Sequence, residues 1–359
     1  TFYNVTMPIV PKGIMFSPDG TCILTHANDH KVRCFETGLR DDEPIQASQY
    51  DSNHEESKHN NFKYPAFRTP FKSSIYQLCW NPLMNSSNPS SCFFLASIKQ
   101  NGIVMVDAYT GQVEEAYTIK QAEVEKINQP YALCFKSTNQ FYTGTMKGDL
   151  VLFDINHHFH RSCIRATKHK TVISSLISSD WAPSTFYYGC FNGEIGIYDD
   201  RSSTNSTFIR HDQSITSMQL SSTGYHLFTS GRKSPFIHLY DLRRGLSNPL
   251  MSFFTNHSTN LPVQFVLGQG NHLFTGTSEG NVLQFNLRSS KIDPLVYSFQ
   301  SPFIPSKKSH PEYTINGIGF HPEQSFLAIS SGENPEINHF EGEEKILPKS
   351  FCSLYHFET

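Results

Sequence analysis

No apolar stretch of this chain approaches the ~20 residues that a membrane-crossing helix needs. Its start, Thr1-Phe2-Tyr3-Asn4, lacks the charged-then-apolar build of a signal peptide, and it lacks an initiator Met. Charge of one sign is scarce too. With 29 Lys and Arg against 32 Asp and Glu the net charge is −3, so the chain as a whole is not a polycation, and any nucleic-acid role needs a local basic patch. There is no phosphate loop, no HExxH, no GxSxG elbow and no recognisable carboxylate pair, so no catalytic residue and no cofactor are expected. His157-His158-Phe159-His160 with Cys163 has metal-ligand residue types at no standard zinc spacing, and no metal is expected there. Tryptophan occurs only as Trp80 and Trp181. The eight cysteines contain no CxxC and no disulfide spacing. Cys79, Cys134 and Cys190 stand beside Trp80, Phe135 and Phe191 in apolar runs, where a thiol serves as a small filler. They outweigh four N-x-[ST] triplets at Asn4, Asn85, Asn205 and Asn256, and point to a reducing, intracellular setting.

What the chain does have is a period. Val106-Asp107, Phe153-Asp154, Tyr198-Asp199, Tyr240-Asp241 and Phe285-Asn286 each end a short β-branched or aromatic run, and they recur every 42–47 residues. That is the repeat, slightly stretched, of a four-stranded propeller blade. The second blade reads Ile75–Trp80, Cys92–Ser97, a turn at Gln100-Asn101-Gly102, then Ile103–Asp107. The third to sixth repeat that plan, with turns at Lys147-Gly148, Asn192-Gly193, the atypical Lys233-Ser234-Pro235, and Glu279-Gly280. Glycine there supplies the positive φ of a tight hairpin. A first blade is legible at Gly13–Ser17, Cys22–Thr25 and Val32–Phe35, and a seventh at Ile315–Phe320, Phe326–Ser330 and Ser353–Phe357. The amino-terminal Phe2–Met7 is a candidate for the outermost strand that closes the ring. The expectation is an all-β propeller of four-stranded antiparallel blades over residues 1–359 as one domain. Seven is the count, with six and eight as the neighbouring alternatives. Insertions at about 36–72, 287–313 and 332–350 break the period and read first as surface loops.

Specific strings add a family. Phe16-Ser17-Pro18-Asp19-Gly20-Thr21-Cys22-Ile23-Leu24-Thr25, Ile75-Tyr76 with Cys79-Trp80, Leu83-Met84, Ser86 and Pro89, and Asp107-Ala108-Tyr109-Thr110-Gly111 resemble the telomerase Cajal body protein family of WD-repeat propellers. So do Ser230-Gly231-Arg232-Lys233 with Asp241-Leu242-Arg243, and Asn316-Gly317, His321-Pro322, Leu327-Ala328 and Ser331-Gly332. The matches run in order over nearly the whole chain. The resemblance implies a noncatalytic scaffold that binds small nuclear, small Cajal body or telomerase RNA, assists RNP assembly and trafficking with RNP proteins, and resides in the nucleus as a monomer within a larger RNP. Two other readings stand beside it: a spliceosomal snRNP assembly factor, and a protein-interaction propeller that never touches RNA.

In a propeller, the turns between second and third strands share one face with the connections that enter each blade. That face is expected to carry Lys99, Lys147, Lys168, Lys170, Arg210, Arg232 and Lys233, with Lys72 and Lys307-Lys308 nearby. Asp149, Glu194, Asp212 and Glu279 are the main acids in the same set. Lysine and arginine would meet phosphates, while Phe191 and His169 or His211 would stack on unpaired bases. Arg232-Lys233, in its atypical turn, is the leading pair. His211 and Thr229 also occupy the positions of the His–Ser/Thr–Asp chain of WD repeats; with no Asp in the following turn, a partial structural network is expected.

Overall fold

The computed structural model describes residues 9–39, 59–61, 64–119, 128–179, 181–211, 213–244, 248–256, 262–288, 295–300, 313–333 and 351–356. They form seven four-stranded antiparallel sheets, each ordered from an inner to an outer strand. The first contains β1 (Pro11–Phe16), β2 (Cys22–Ala27), β3 (Lys31–Glu36) and β5 (Phe67–Pro70); the second β6 (Ile75–Trp80), β7 (Phe93–Ile98), β8 (Gly102–Asp107) and β9 (Val113–Tyr117). The third contains β10 (Pro130–Ser137), β11 (Gln140–Thr145), β12 (Asp149–Asp154) and β13 (Ser162–Arg165); the fourth β14 (Ile173–Ser179), β15 (Ala182–Cys190), β16 (Glu194–Asp199) and β17 (Thr204–Arg210). The fifth has β18 (Ile215–Leu220), β19 (His226–Gly231), β20 (Phe236–Asp241) and β21 (Met251–Phe254). The sixth has β22 (Phe265–Gly268), β23 (His272–Gly276), β24 (Asn281–Asn286) and β25 (Leu295–Gln300). The seventh has β26 (Tyr313–Phe320), β27 (Phe326–Glu333), β28 (Phe351–His356) and β4 (His59–Asn61). This is the seven-bladed propeller that the period predicts.

Why the period ends on an aromatic and an acid is visible in the third strands. Val106, Phe153, Tyr198, Tyr240 and Phe285 are buried, at 0–2% exposure, between blades. The next side chain bends the chain into its turn: Asp107, Asp154, Asp199, Asp241 and Asn286 each accept a hydrogen bond through Oδ1 from the backbone N–H two residues on. This Asx turn is the local reason for the residue type.

Neither face of a single blade could be dry on its own. Among the described residues the apolar side chains gather into seven cores, each filled by two adjacent blades. Between blades two and three, Phe141 stacks on Phe153 at 5.2 Å and meets the edge of Tyr117 at 5.2 Å. Such pairs contribute about 0.5–1.5 kcal/mol beyond burial. Cys134 is buried in the neighbouring core, which pushes its thiol up to about 11, and all eight cysteines are free thiols.

The inner strands leave one edge toward the axis, and glutamines bridge it. The Gln77 amide donates to the Leu133 carbonyl at 3.3 Å and accepts from the Leu133 N–H at 2.9 Å. Gln219 does the same for Phe265 and Leu267. Gln264 Oε1 accepts from Ile14 in the first blade and Ile318 in the seventh. Each amide imitates the backbone strand that the axis has no room for.

Ring closure corrects one expectation. The outermost strand of the seventh blade is β4, pairing Asn61, Asn60 and His59 with Ser353, Leu354 and Tyr355; the Phe2–Met7 segment lies outside the described residues. The chain leaves β3, adds β4 to the last blade, and returns as β5 to pair with β3. A connection of this length has the reach to do so, since an extended chain covers about 3.3 Å per residue, and the unpaired edge of β28 is satisfied by it. The 36–72 stretch therefore contributes two strands, and β25 falls within 287–313. Residues 334–350 lie outside the described residues.

Candidate nucleic-acid interface

The propeller face built from the second-to-third-strand turns and the inter-blade connections holds the predicted cations. Lys99 is exposed in the β7–β8 turn, its N–H bonded to the Ser74 carbonyl at 2.9 Å. Lys72 is exposed beside it. Lys168, His169 and Lys170 are exposed in the connection from β13 to β14, and Arg232 and Lys233 in the β19–β20 turn. Lys147 is half-buried; its N–H donates to Asn128 Oδ1 and its carbonyl accepts from Arg165. Arg210 ends β17, and its side chain lies outside the described residues, as do Asp212 and Lys307-Lys308.

The acids of this face are engaged locally. Asp149 is buried, with Arg165 Nε at 2.9 Å on one oxygen and Asn128 Nδ2 at 2.6 Å on the other. Asp29 takes a two-pronged contact from Arg33. Glu279 accepts from Asn256 at 3.1 Å, and Glu194 is buried. Among the described residues, none of Lys72, Lys99, Lys168, Lys170, Arg232 and Lys233 forms an ion pair. Asp29 and Asp149 are neutralised within their own blades, and the six cations find no carboxylate partner among the described residues. Among the described residues, the near-zero balance of the whole chain thus conceals a face with surplus positive charge.

Turn chemistry fixes where these side chains stand. Gly148 and Gly193 hold φ of 86° and 84°, and a Cβ on Gly193 would fall 2.0 Å from the His211 carbonyl oxygen. In the fifth blade the positive φ falls on Lys233, at 54°. A left-handed conformation at a non-glycine residue costs about 1 kcal/mol or more.

Phe191 has company that the sequence reading missed. Arg232 lies over its ring, with Cζ 4.7 Å from the centroid. Tyr131 meets it edge-on at 5.6 Å, and Tyr76 stacks on Tyr131 at 4.6 Å with 28° between planes. Tyr76 and Tyr131 are the second residues of inner strands β6 and β10, where the pairing register skips a residue. A bulge re-aims the side chain it carries. The bulge shows in the structure as a break in alternation: Tyr76 and Gln77 are both half-buried between buried Ile75 and Leu78.

His211 is placed differently from its stacking role. Its ring is held by the Tyr240 hydroxyl at Nε2, 2.6 Å, and stacks on His238 at 5.4 Å. Burial pushes the Tyr240 hydroxyl up to about 12, which keeps it a hydrogen-bonding phenol. Thr229 Oγ1 is buried without a hydrogen-bond partner among the described residues, so the expected partial His–Thr chain is replaced by a His–Tyr contact. The tyrosine displaces the threonine because its longer reach brings the hydroxyl to the ring.

No protein-family model matches the chain. The human protein named Telomerase Cajal body protein 1 is 26% identical over 366 aligned residues, covering 97% of this chain and 62% of that protein. The chain is a distant relative of the telomerase Cajal body proteins. The Drosophila melanogaster homologue is 28% identical over 333 residues, covering 90% of this chain and 56% of that protein. A Schizosaccharomyces pombe protein named Guanine nucleotide-binding protein negative regulator 1 is 22% identical over 283 residues, covering 74% of this chain and 68% of its own. The chain thus spans about three fifths of the length of the telomerase Cajal body proteins it matches.

Proposed function

We propose that this propeller is a noncatalytic scaffold that binds small nuclear or small Cajal body RNA, telomerase RNA included, and assists RNP assembly in a nuclear body. The observation that carries this reading is the set of six cations without carboxylate partners on one face. Relatives that bear the telomerase Cajal body name over 90–97% of this chain support it. Lysines and arginines spread around a ring track a phosphate backbone, and half-exposed aromatics near them suit unpaired bases.

Crosslinking and sequencing of RNA bound in cells tests it, with an Arg232→Glu/Lys233→Glu variant alongside. Enrichment of box-type small nuclear or telomerase RNA, reduced at least tenfold in the variant, is the expected result. Absence of RNA above background in both proteins would overturn the reading.

A second reading rests on the opposite face. There Ile177, Trp181, Gln219, Leu220, Leu267 and Leu287 line a cleft of about 450 Å³, and Trp181 is 76% exposed. An exposed Trp beside leucines suits a peptide side chain. The crosslinking experiment separates the readings, because a peptide at this cleft leaves RNA recovery at background.

A further inference from the structure

Three aromatic rings at the mouth of the axis lie outside the packed cores of the propeller. Tyr76, Tyr131 and Phe191 belong to none of the seven inter-blade cores, and each is half-exposed. They nevertheless pack on one another across blades two, three and four, and Arg232 of blade five extends the row. The row is built rather than incidental. Phe191 is pinned by its N–H to the Val172 carbonyl at 3.0 Å and by its own carbonyl, which accepts from Ser214 Oγ. The Tyr131 carbonyl accepts from Ser97 Oγ at 2.7 Å, tying blade three to blade two. Bulged positions in four other blades hold Lys12, Ser174, Thr216 and Asn316, so the aromatic character is confined to one arc. Among the described residues neither tyrosine hydroxyl has a hydrogen-bond partner.

We infer that the arc Tyr76–Tyr131–Phe191–Arg232 is a stacking subsite for unpaired nucleobases of a bound RNA loop. The inference rests on the RNA-binding reading and gives it a place. Rings that offer a half-exposed edge or face take a base by stacking, and a guanidinium already lying over a ring extends the surface by one more plane. Lys72 and Lys99 at one end, and Arg232 and Lys233 at the other, stand where the flanking phosphates would lie. The same arginine argues against a cationic guest such as a methylated lysine. A second positive charge over Phe191 would meet Arg232 at 4.7 Å from the ring, whereas an uncharged base meets a complementary plane. The two hydroxyls, without a hydrogen-bond partner among the described residues, provide donors and acceptors for base edges.

The test uses the purified chain and a hairpin RNA carrying 2-aminopurine in a five-nucleotide loop, with a loopless duplex as control. Anisotropy gives the affinity, and quenching of the 2-aminopurine reports stacking. Tyr131→Leu is expected to lower hairpin affinity about tenfold or more and to abolish quenching. Tyr131→Phe keeps the ring and is expected to retain both, which separates lost stacking from lost folding. A Lys99→Gln/Lys168→Gln/Lys170→Gln variant is expected to weaken hairpin and duplex alike while quenching of the bound fraction persists. If the lysine variant loses affinity while Tyr131→Leu binds and quenches as the parent does, the RNA-binding reading stands and the stacking subsite is refuted. If the parent binds neither RNA, both fall.

Discussion

The two faces of this propeller treat their exposed basic side chains differently. Where third strands end, arginine meets aspartate: Arg161 with Asp154, Arg201 with Asp199, Arg243 and Arg244 with Asp241, and Lys136 with Asp200. The aspartates are there for the Asx turns that end each repeat, and the basic residues neutralise them. On the other face the acids beside the turns include Asp29 and Asp149, which are taken by Arg33 and Arg165, while the exposed lysines form no ion pair among the described residues. A repeat that places an acid at one end of four blades, and pairs three of those acids with basic residues there, leaves unpaired positive charge at the other end without changing the net balance of the chain. The same polarity separates the candidate RNA face from the Trp181 cleft.

Titration sharpens this comparison and carries the largest expected effect. His26 is buried at the axial end of β2, against Gly13 and within electrostatic range of Lys12. Burial, with the Lys12 charge adding to it, lowers its pKa to about 4, and burial lowers that of Lys12 as well. The folded chain thus holds His26 neutral while the unfolded chain protonates it near 6.5. Stability from this group is fully present above pH 6.5 and is lost as pH falls toward 4, by about 3 kcal/mol across that window. On the opposite face Asp154, Asp199 and Asp241 are held below the usual carboxylate range by hydrogen bonds, so their contributions vanish only at pH below about 4. Urea unfolding at intervals from pH 7 to 4 is expected to show the earlier loss, and His26→Gln is expected to flatten it. An unchanged slope in His26→Gln would break the assignment.

A smaller effect tests the paired face. Asp200 accepts from Lys136 Nζ at 2.5 Å and from the Tyr142 hydroxyl, joining blade three to blade four. Burial acts against its ionised form, while the bonds from Lys136 and Tyr142 favour that form and lower its pKa. With side-chain exposures of 24% and 20% for Lys136 and Asp200, the pair is only partly screened. Asp200→Ala leaves both donors unpartnered and is expected to cost about 1–3 kcal/mol. Thermal unfolding reads it directly, and a variant as stable as the parent would mean that blade contacts on this face are carried by the apolar cores alone.

How legible all this was depended on burial. Strands with two packed faces announced themselves: β6, β12, β16, β18, β20, β23 and β24 fall on the residues that the periodic runs pick out. Outer strands did not. Val113–Tyr117 is largely exposed and contains two glutamates, and His59–Asn61 has no apolar residue, so pattern could not find them. The lysines of the candidate face were legible because turn position alone places them. The tyrosines beside Phe191 were not, because a bulge shifts the alternation that pattern reading relies on, and because their neighbours belong to other blades. Closure by β4 was hidden for a similar reason: it depends on which distant edge a connection reaches.

The smallest expected effect falls on the residue where turn geometry and charge conflict. Lys233 adopts φ of 54° in a turn whose counterparts at Gly148, Gly193 and Gly280 use glycine. If the lysine is kept for its charge, the strain is a cost the fold carries at the RNA face. Lys233→Gly removes that strain, and the extra freedom of glycine in the unfolded chain offsets most of the gain, so stability is expected to stay within about 0.5 kcal/mol of the parent. RNA affinity is expected to fall severalfold, and the slope of log affinity against log salt to drop by about 1, as one phosphate contact is lost. Lys233→Asn, which tolerates the left-handed region without charge, is expected to behave as the glycine variant does. Were both to bind RNA with the parental salt slope, Lys233 would be a turn residue only, and the charge of this face would act through Lys72, Lys99, Lys168, Lys170 and Arg232.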